Sequence, residues 1–284
     1  MTRAARRLQL AQPALSQAIA RLESQVGVRL LDRGPRGVTT TPAGEAFLEK
    51  AEATLAAVDE ASATARSWAR DQKGRLHAGF MAMTPPMMAG DLFSRFMAAH
   101  PETSIEWRQL GYPSLDARAW LGDSDVALIW FAPSAPGLAS QTIRTSPLVA
   151  AMAETHPLAG RSELSVADVL DEPFPGIVDW ADPVWLGYWG LDAYRGAPAR
   201  RTDDAALTPE EVASIVASGR AITTVPAIVA VPFAHLGIRA IPLTDAEPAV
   251  LKLVWPEGAA TPLVTALAEL ARVGSQHDSP NTAD

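Results

Sequence analysis

Leu15, Ile19, Leu22 and Val26 follow one another at steps of four, three and four, which puts them on one stripe of a helix over about 12–25. The opposite face carries Pro13, Ser16, Gln17, Ala20, Arg21 and Ser24, all small, polar or cationic. Ala4, Ala5 and Leu8 predict a preceding helix that the start of the chain cuts short, and two strand-like runs then flank the basic turn Arg33-Gly34-Pro35-Arg36-Gly37. This is the layout of a winged helix-turn-helix, although an ordinary amphipathic helical pair shares its periodicity. Thr41-Pro42 starts a further helix, with Phe47, Ala51, Leu55, Val58, Ser62 and Ala65 recurring at threes and fours to about Ala69. At ~40 Å it has little to bury against within its own domain; a partner helix would cover its seam, and the alternative is a plain surface helix.

After Asp71-Gln72-Lys73-Gly74 strands and helices alternate. Strands are predicted over Arg75–Met83, Ser104–Leu110 and Asp125–Trp130, with helices over Pro86–Ala99 and Leu115–Leu121. A second series opens near Pro147. It comprises strands at Leu148–Glu154, Gly176–Val178 and Ile222–Val225, and helices at Ser165–Leu170, Pro183–Tyr194 (capped by Asp182) and Pro209–Ala217. Thr208-Pro209-Glu210-Glu211 fits a capping box for the last of these. A strand over Ala249–Trp255, a helix over Pro262–Val273 and a disordered tail over 274–284 complete the pattern. Short strand-helix-strand connections imply a mainly parallel sheet covered on both faces.

Composition narrows the class. The chain has 284 residues, 48% hydrophobic and 20% charged, enough for two or more domains with cores. No apolar run approaches the ~20 residues of a membrane span, and Arg3, Arg6 and Arg7 lead into glutamines where a secretory peptide would have an apolar segment. Absence of cysteine excludes disulfides and suits a cytoplasmic location. The net charge of −8 is unevenly spread: residues 1–41 hold seven arginines against Glu23 and Asp32, a net +5, so the rest carries −13. A basic head on an acidic body is the asymmetry expected when one module alone touches phosphate.

Ala4-Ala5, Leu8, Gln12-Pro13-Ala14-Leu15-Ser16, Ile19, Leu22-Glu23, Gly27, Leu30-Leu31-Asp32-Arg33, Val38, Thr41 and Ala43-Gly44 together resemble the N-terminal signature of the LysR-type transcriptional regulators. His156-Pro157-Leu158-Ala159 and Ala217-Ser218-Gly219-Arg220-Ala221-Ile222 resemble segments of the same family's effector domain. The resemblance implies an α/β effector domain of two Rossmann-like subdomains, similar to periplasmic binding proteins and joined by two crossing strands. An all-α winged helix-turn-helix and a long linker helix precede it.

On that template residues 1–41 are the DNA-binding domain and 42–70 the linker and dimerisation helix. Residues 75–146 with 249–273 form effector subdomain I, and 147–248 form subdomain II. Implied partners are an inverted-repeat operator in double-stranded DNA, a small-molecule effector, a homodimer or homotetramer through the linker helix and effector domains, and RNA polymerase, with no membrane and no cofactor. Members carry a further helix ahead of the position of Ala4, so the expectation here is either a start placed too late or a truncated variant. The alternative function is then a solute-binding or interaction protein with a disabled DNA-binding head.

For DNA, Gln12, Pro13, Ser16, Gln17 and Arg21 form the reading face, where amides and hydroxyls can meet base edges, and Arg33 and Arg36 offer guanidiniums to phosphate or the minor groove. The effector cleft is expected beyond the carboxyl ends of strands. That points to Thr84, Pro85, Tyr112, Trp130, Phe131, Asp179, Trp180, Thr202, Asp203 and Thr224. In relatives that bind carboxylates an arginine often aligns with Trp130; tryptophan there, with Trp180 nearby, favours an aromatic or weakly charged effector, unless both are core. Trp185 and Trp189, at i and i+4, are expected to pack rather than bind. Catalysis finds no motif: His77, His100, His156, His235 and His277 are scattered, neither HExxH nor GxSxG occurs, and no metal site is expected.

Overall fold

The computed structural model describes residue 5 and residues 10–34, 37–81, 84–113, 120–130 and 137–275, with only the backbone of Arg33, Ala56, Gly274 and Ser275. Ala4, Leu8, Arg36, Phe131, most of the helix expected over Leu115–Leu121 and nearly all of the expected tail lie outside the described residues. The chain divides into two units, Met1–Ser62 and Ala63–Asp284.

In the first unit, helix α1 (Gln12–Val26) has Pro13 in its first turn and ends on Gly27 at φ 74°, whose N–H donates to the Glu23 carbonyl. The Glu23 carboxylate accepts from the amides of Leu30 (2.8 Å) and Leu31 (3.0 Å), tying the helix to the strand that follows. That strand, β1 (Leu31–Gly34), pairs antiparallel with β2 (Gly37–Thr40), with Gly34 opposite Gly37 at the tip. Thr41 then caps the next helix: its hydroxyl accepts from Gly44 N–H (2.9 Å) and donates to the Arg29 carbonyl (2.8 Å). Gly44 is obligatory there, since a Cβ would lie 2.0 Å from the Leu30 carbonyl oxygen.

The α1 stripe departs from expectation. Leu15, Ile19 and Leu22 are only half-buried and Val26 is exposed, because a unit this small offers little apolar surface to cover them. Helix α2 (Pro42–Asp71) runs 30 residues, about 45 Å, and contributes to both units. It leaves Leu48, Leu55 and Val58 exposed.

The second unit is built on two sheets. Strands β3 (Arg75–Met81), β4 (Ser104–Leu110), β5 (Val126–Trp130), β6 (Leu138–Ser146) and β10 (Ala249–Pro256) make the first, in the order β4-β3-β5-β10-β6. The β3 pairings with β4 and β5 are parallel, while β10 runs antiparallel to β5 and β6. Helices α3 (Leu92–Ala99) and α8 (Pro262–Ser275) pack on each other, and α8 also packs on β6. Strand β5, VALIW, is buried at every position, as a central strand covered on both faces must be. The second sheet sets β7 (Leu148–Ala153) between β8 (Thr223–Pro226) and β9 (Ile238–Pro242), both antiparallel to it. Between them in sequence lie α4 (Pro183–Trp189), α5 (Asp192–Arg195), α6 (Pro209–Ala217) and α7 (Ala227–Ala230). The chain crosses between sheets at Pro147, which separates β6 from β7, and returns from β9 into β10.

A mainly parallel arrangement is therefore corrected: the first sheet is mixed and the second wholly antiparallel, because the crossing strands enter each sheet from the other. Strands β6 and β9 fall outside the predicted pattern. Gly176–Val178 is not a strand but a single bridge of Ile177 to Ala206. Pro86–Ala99 breaks at Gly90 (φ 65°) into a 3-10 turn (Pro86–Ala89) and α3, and Ser165–Leu170 shortens to a 3-10 turn held by the Ser165–Asp168 capping box. Pro183–Tyr194 breaks at Gly190-Leu191, where Leu191 takes φ 60° to start α5. At α6 Thr208 caps the Glu211 amide, but the Glu211 carboxylate reaches back to Leu207 N–H rather than to that of Thr208.

Candidate functional site

Parallel strands β3 and β5 end side by side, and their last side chains, Met81 and Trp130, open onto a cavity of about 100 Å³. Thr84 and Tyr112, just beyond β3 and β4, complete the near wall. The far wall comes from the second sheet and its helices: Phe174, Ile177, Trp185 and Trp189 of α4, Arg201, Val212 of α6, Thr224 of β8, and Phe233. The lining is overwhelmingly apolar and aromatic, as small-molecule sites are.

Helix α4 is held in place at its start. The Asp182 carboxylate caps Val184 N–H at 2.8 Å, while the Asp182 amide donates to the Pro113 carbonyl at 2.8 Å. That seats Trp185 against Tyr112 (ring centroids 5.2 Å) and Trp189 edge-on to Trp185 (6.2 Å). Thr224 donates its hydroxyl to the Trp189 carbonyl at 2.6 Å, tying β8 to α4. Arg201 spends two guanidinium nitrogens on carbonyls, donating to Pro175 (3.1 Å) and Leu186 (2.9 Å). Burial pulls its pKa below the usual arginine value, opposed by Asp192 and aided by Arg195. Burial pushes the Tyr112 phenol up, with Glu210 and Glu211 adding to the rise.

Buried polar atoms concentrate here. The indole N–H groups of Trp130, Trp185 and Trp189 and the hydroxyls of Thr84 and Tyr112 are buried with no hydrogen-bond partner. Each such group costs roughly 1–3 kcal/mol, which a fold tolerates chiefly where a ligand or water supplies the missing bond.

Of the residues expected at the cleft, Thr84, Tyr112, Trp130 and Thr224 border the cavity. Pro85 is half-buried beside it, Asp179 and Asp203 are exposed, and Trp180 is 47% exposed with its ring over Gly111. Thr202 instead braces two loops, its hydroxyl accepting from Gly176 N–H (3.0 Å) and donating to Asp204 (2.7 Å). Trp185 and Trp189 do pack, on each other and on Tyr112, yet both also border the cavity. Arg201, Phe174, Val212 and Phe233 join the site without a sequence signal of their own. The available signal is the helix cap at Asp182, which fixes the face of α4 carrying both tryptophans.

On α1, Gln12, Pro13, Gln17 and Arg21 are exposed and Ser16 half-buried, with the Gln12 amide donating to the Ser16 hydroxyl at 3.2 Å. Arg33 stands on β1 opposite Val38. Among the described residues no group of three or more acidic or histidine side chains is placed to hold a metal, and no helix is long and apolar enough to cross a membrane.

Residues 1–45 match the family model described as "Bacterial regulatory helix-turn-helix protein, lysR family", and residues 69–274 match "LysR substrate binding domain". YnfL, an uncharacterized helix-turn-helix-type transcriptional regulator of Escherichia coli, is 31% identical over 266 residues, covering 90% of this chain and 86% of that protein. IlvR, a helix-turn-helix-type transcriptional regulator of Caulobacter vibrioides, is 31% identical over 276 residues, covering 94% and 90%. Among solved structures, Corynebacterium glutamicum OxyR with hydrogen peroxide bound superposes with a TM-score of 0.56 at 24% identity over 97% of this chain and 88% of that one. CbnR, a LysR family transcriptional regulator, superposes with a TM-score of 0.52 at 22% identity over 96% and 94%. Regulator homology across both parts of the chain sets aside the alternative of a solute-binding protein. The relatives are regulators, not enzymes, and the chain belongs to the LysR family of transcriptional regulators, a DNA-binding head followed by an effector-binding domain.

Proposed function

We propose that this regulator binds its effector in the cavity between the two sheets and reads an inverted repeat through α1. Gln12, Pro13, Ser16, Gln17 and Arg21 face base edges, and Arg33 and Arg36 hold the backbone. Residues 1–41 act as the head and 42–70 as the linker and dimerisation helix; 75–146 with 249–273 and 147–248 are the two effector subdomains. The working form is a cytoplasmic homodimer or homotetramer, with RNA polymerase as a further partner. Ligand binding shifts the population of assembled states, and so the spacing of paired heads. Exposed Leu48, Leu55 and Val58 on α2 support the pairing. The observation that carries the effector reading is the cavity at the carboxyl ends of β3 and β5, ringed by partnerless buried polar groups.

Selection from a randomised duplex pool by the full chain is expected to enrich two half-sites in inverted orientation. Gln12→Ala or Ser16→Ala should then change base preference, while Arg33→Ala and Arg36→Ala weaken all sequences alike and lower the salt dependence. A pool that emerges without sequence preference overturns the DNA-reading assignment.

A further inference from the structure

We infer that the effector is a compact, uncharged, ring-bearing molecule whose polar atoms are hydrogen-bond acceptors, held by the indole N–H groups of Trp130 and Trp185 and the hydroxyls of Thr84 and Tyr112. The inference rests on the reading of this cavity as the effector site and goes beyond it by naming the ligand chemistry.

Three observations lead there. First, the partnerless groups have one polarity. The three indoles can only donate, and the two hydroxyls donate as readily as they accept, so an occupant satisfies the whole set only by bringing lone pairs. A ligand that offers only N–H or O–H groups would leave the indoles unpaired and add its own unmet donors. Trp130 and Thr84 are 1% exposed and Tyr112 and Trp185 are 6% exposed, so none of the four is compensated by bulk solvent.

Second, the site is poorly equipped for a full negative charge. Among the described lining residues the one cationic side chain is Arg201, and two of its guanidinium nitrogens already serve the Pro175 and Leu186 carbonyls. Glu210 and Glu211 project their charge onto the Tyr112 side of the cavity, which further disfavours an anion. Burying a carboxylate in such walls without a committed cation is costly.

Third, the walls are aromatic. Trp185 lies between Tyr112 and Trp189, and Phe174 and Phe233 also line the cavity, surfaces on which a planar ring gains offset or edge contacts.

The test uses three probes that share one ring: methyl benzoate, an uncharged acceptor; benzoate, its anionic counterpart; and aniline, a donor. Binding to the full chain is followed by intrinsic tryptophan fluorescence at neutral pH. Methyl benzoate is expected to bind at least about tenfold more tightly than either of the others. Trp130→Phe and Trp185→Phe keep the apolar body and delete the N–H, and each should weaken methyl benzoate by about five- to tenfold while leaving aniline unchanged. Benzoate or aniline binding as tightly as the ester, full affinity in both phenylalanine variants, or no saturable binding of the ester at millimolar concentration overturns the assignment. Val229→Trp, which fills the cavity, separates this from failure of the site itself. If probes bind the filled variant unchanged, the cavity is not the effector site; if filling abolishes binding but benzoate is preferred, only the ligand chemistry is wrong. A fluorescence melt of each variant confirms that it is folded before titration.

Discussion

Asp125→Ala should cost the effector-binding unit about 4 kcal/mol. The Asp125 side chain is 2% exposed and receives three hydrogen bonds: Arg70 Nε at 3.1 Å, Arg70 Nη2 in a short contact, and the His77 backbone N–H at 2.8 Å. Arg70, near the end of α2, is itself only 13% exposed, and its remaining partner is Asp123 at 3.1 Å, a carboxylate shared with Arg66 at 3.0 Å. Burial alone would lower the Arg70 pKa, but Asp125 and Asp123 outweigh it and raise the value. Breaking a buried pair from one side costs about 3–5 kcal/mol, and the lower end applies because Asp123 stays. The orphaned His77 N–H adds roughly 1–3 kcal/mol, overlapping in part with the first cost.

At about 2–4 °C per kcal/mol for a body of this size, the melting temperature should fall by about 8–16 °C. All eight tryptophans lie between Trp68 and Trp255, so a fluorescence-detected melt of the full chain reports this unit and not the head. Asp125→Asn keeps an acceptor for His77 and should fall between native and alanine. A drop below about 4 °C for the alanine variant would refute the view that this cluster locks the end of α2 onto β3.

Gly44→Ala drives a methyl into the Leu30 carbonyl and should cost on the order of 3 kcal/mol in the head, abolishing DNA retention in a gel shift while the tryptophan melt stays put. Thr208→Ala removes the cap of α6 and should lower the same melt by about 3 °C, for a loss near 1 kcal/mol. Burial works to raise the Asp123 pKa, but Arg66 and Arg70 outweigh it and hold the carboxyl below its usual 3.8. Its stabilisation is therefore complete above that value and lost as pH falls through the lower folded one, so melts should be steady from pH 7 to about 5 and decline below about 4. Asp123→Asn should flatten that acid slope. Leu55→Glu with Val58→Glu should shift sedimentation towards the monomer if α2 pairs subunits.

Elements whose stability is local were legible, and those that depend on a distant partner were not. α6 announces itself through Thr208-Pro209, and β5 through five consecutive apolar residues that only a doubly covered strand explains. β6 reads as polar alternation, LASQTIRTS, and becomes a strand because β10, more than a hundred residues away, supplies its ladder across Ala249–Pro256. The cavity divides along the same line. Trp130, Thr84 and Tyr112 follow from one rule, that ligands sit beyond the carboxyl ends of parallel strands, and strands in series can be read from the chain.

Phe174 and Arg201 follow from no local rule. They meet through an isolated bridge between two loops, next to Gly176, where any Cβ would collide with the Asp204 and Thr202 carbonyls. This part of the far wall is thus set by loop-to-loop contacts, which no local pattern in the chain announces. The partnerless indoles of α4 lie in the far wall, whereas Trp130, on the central strand, is fixed by the core beneath it. Substitutions in the far wall should therefore change which molecule binds, and substitutions at Trp130 should change whether the first sheet holds together as well.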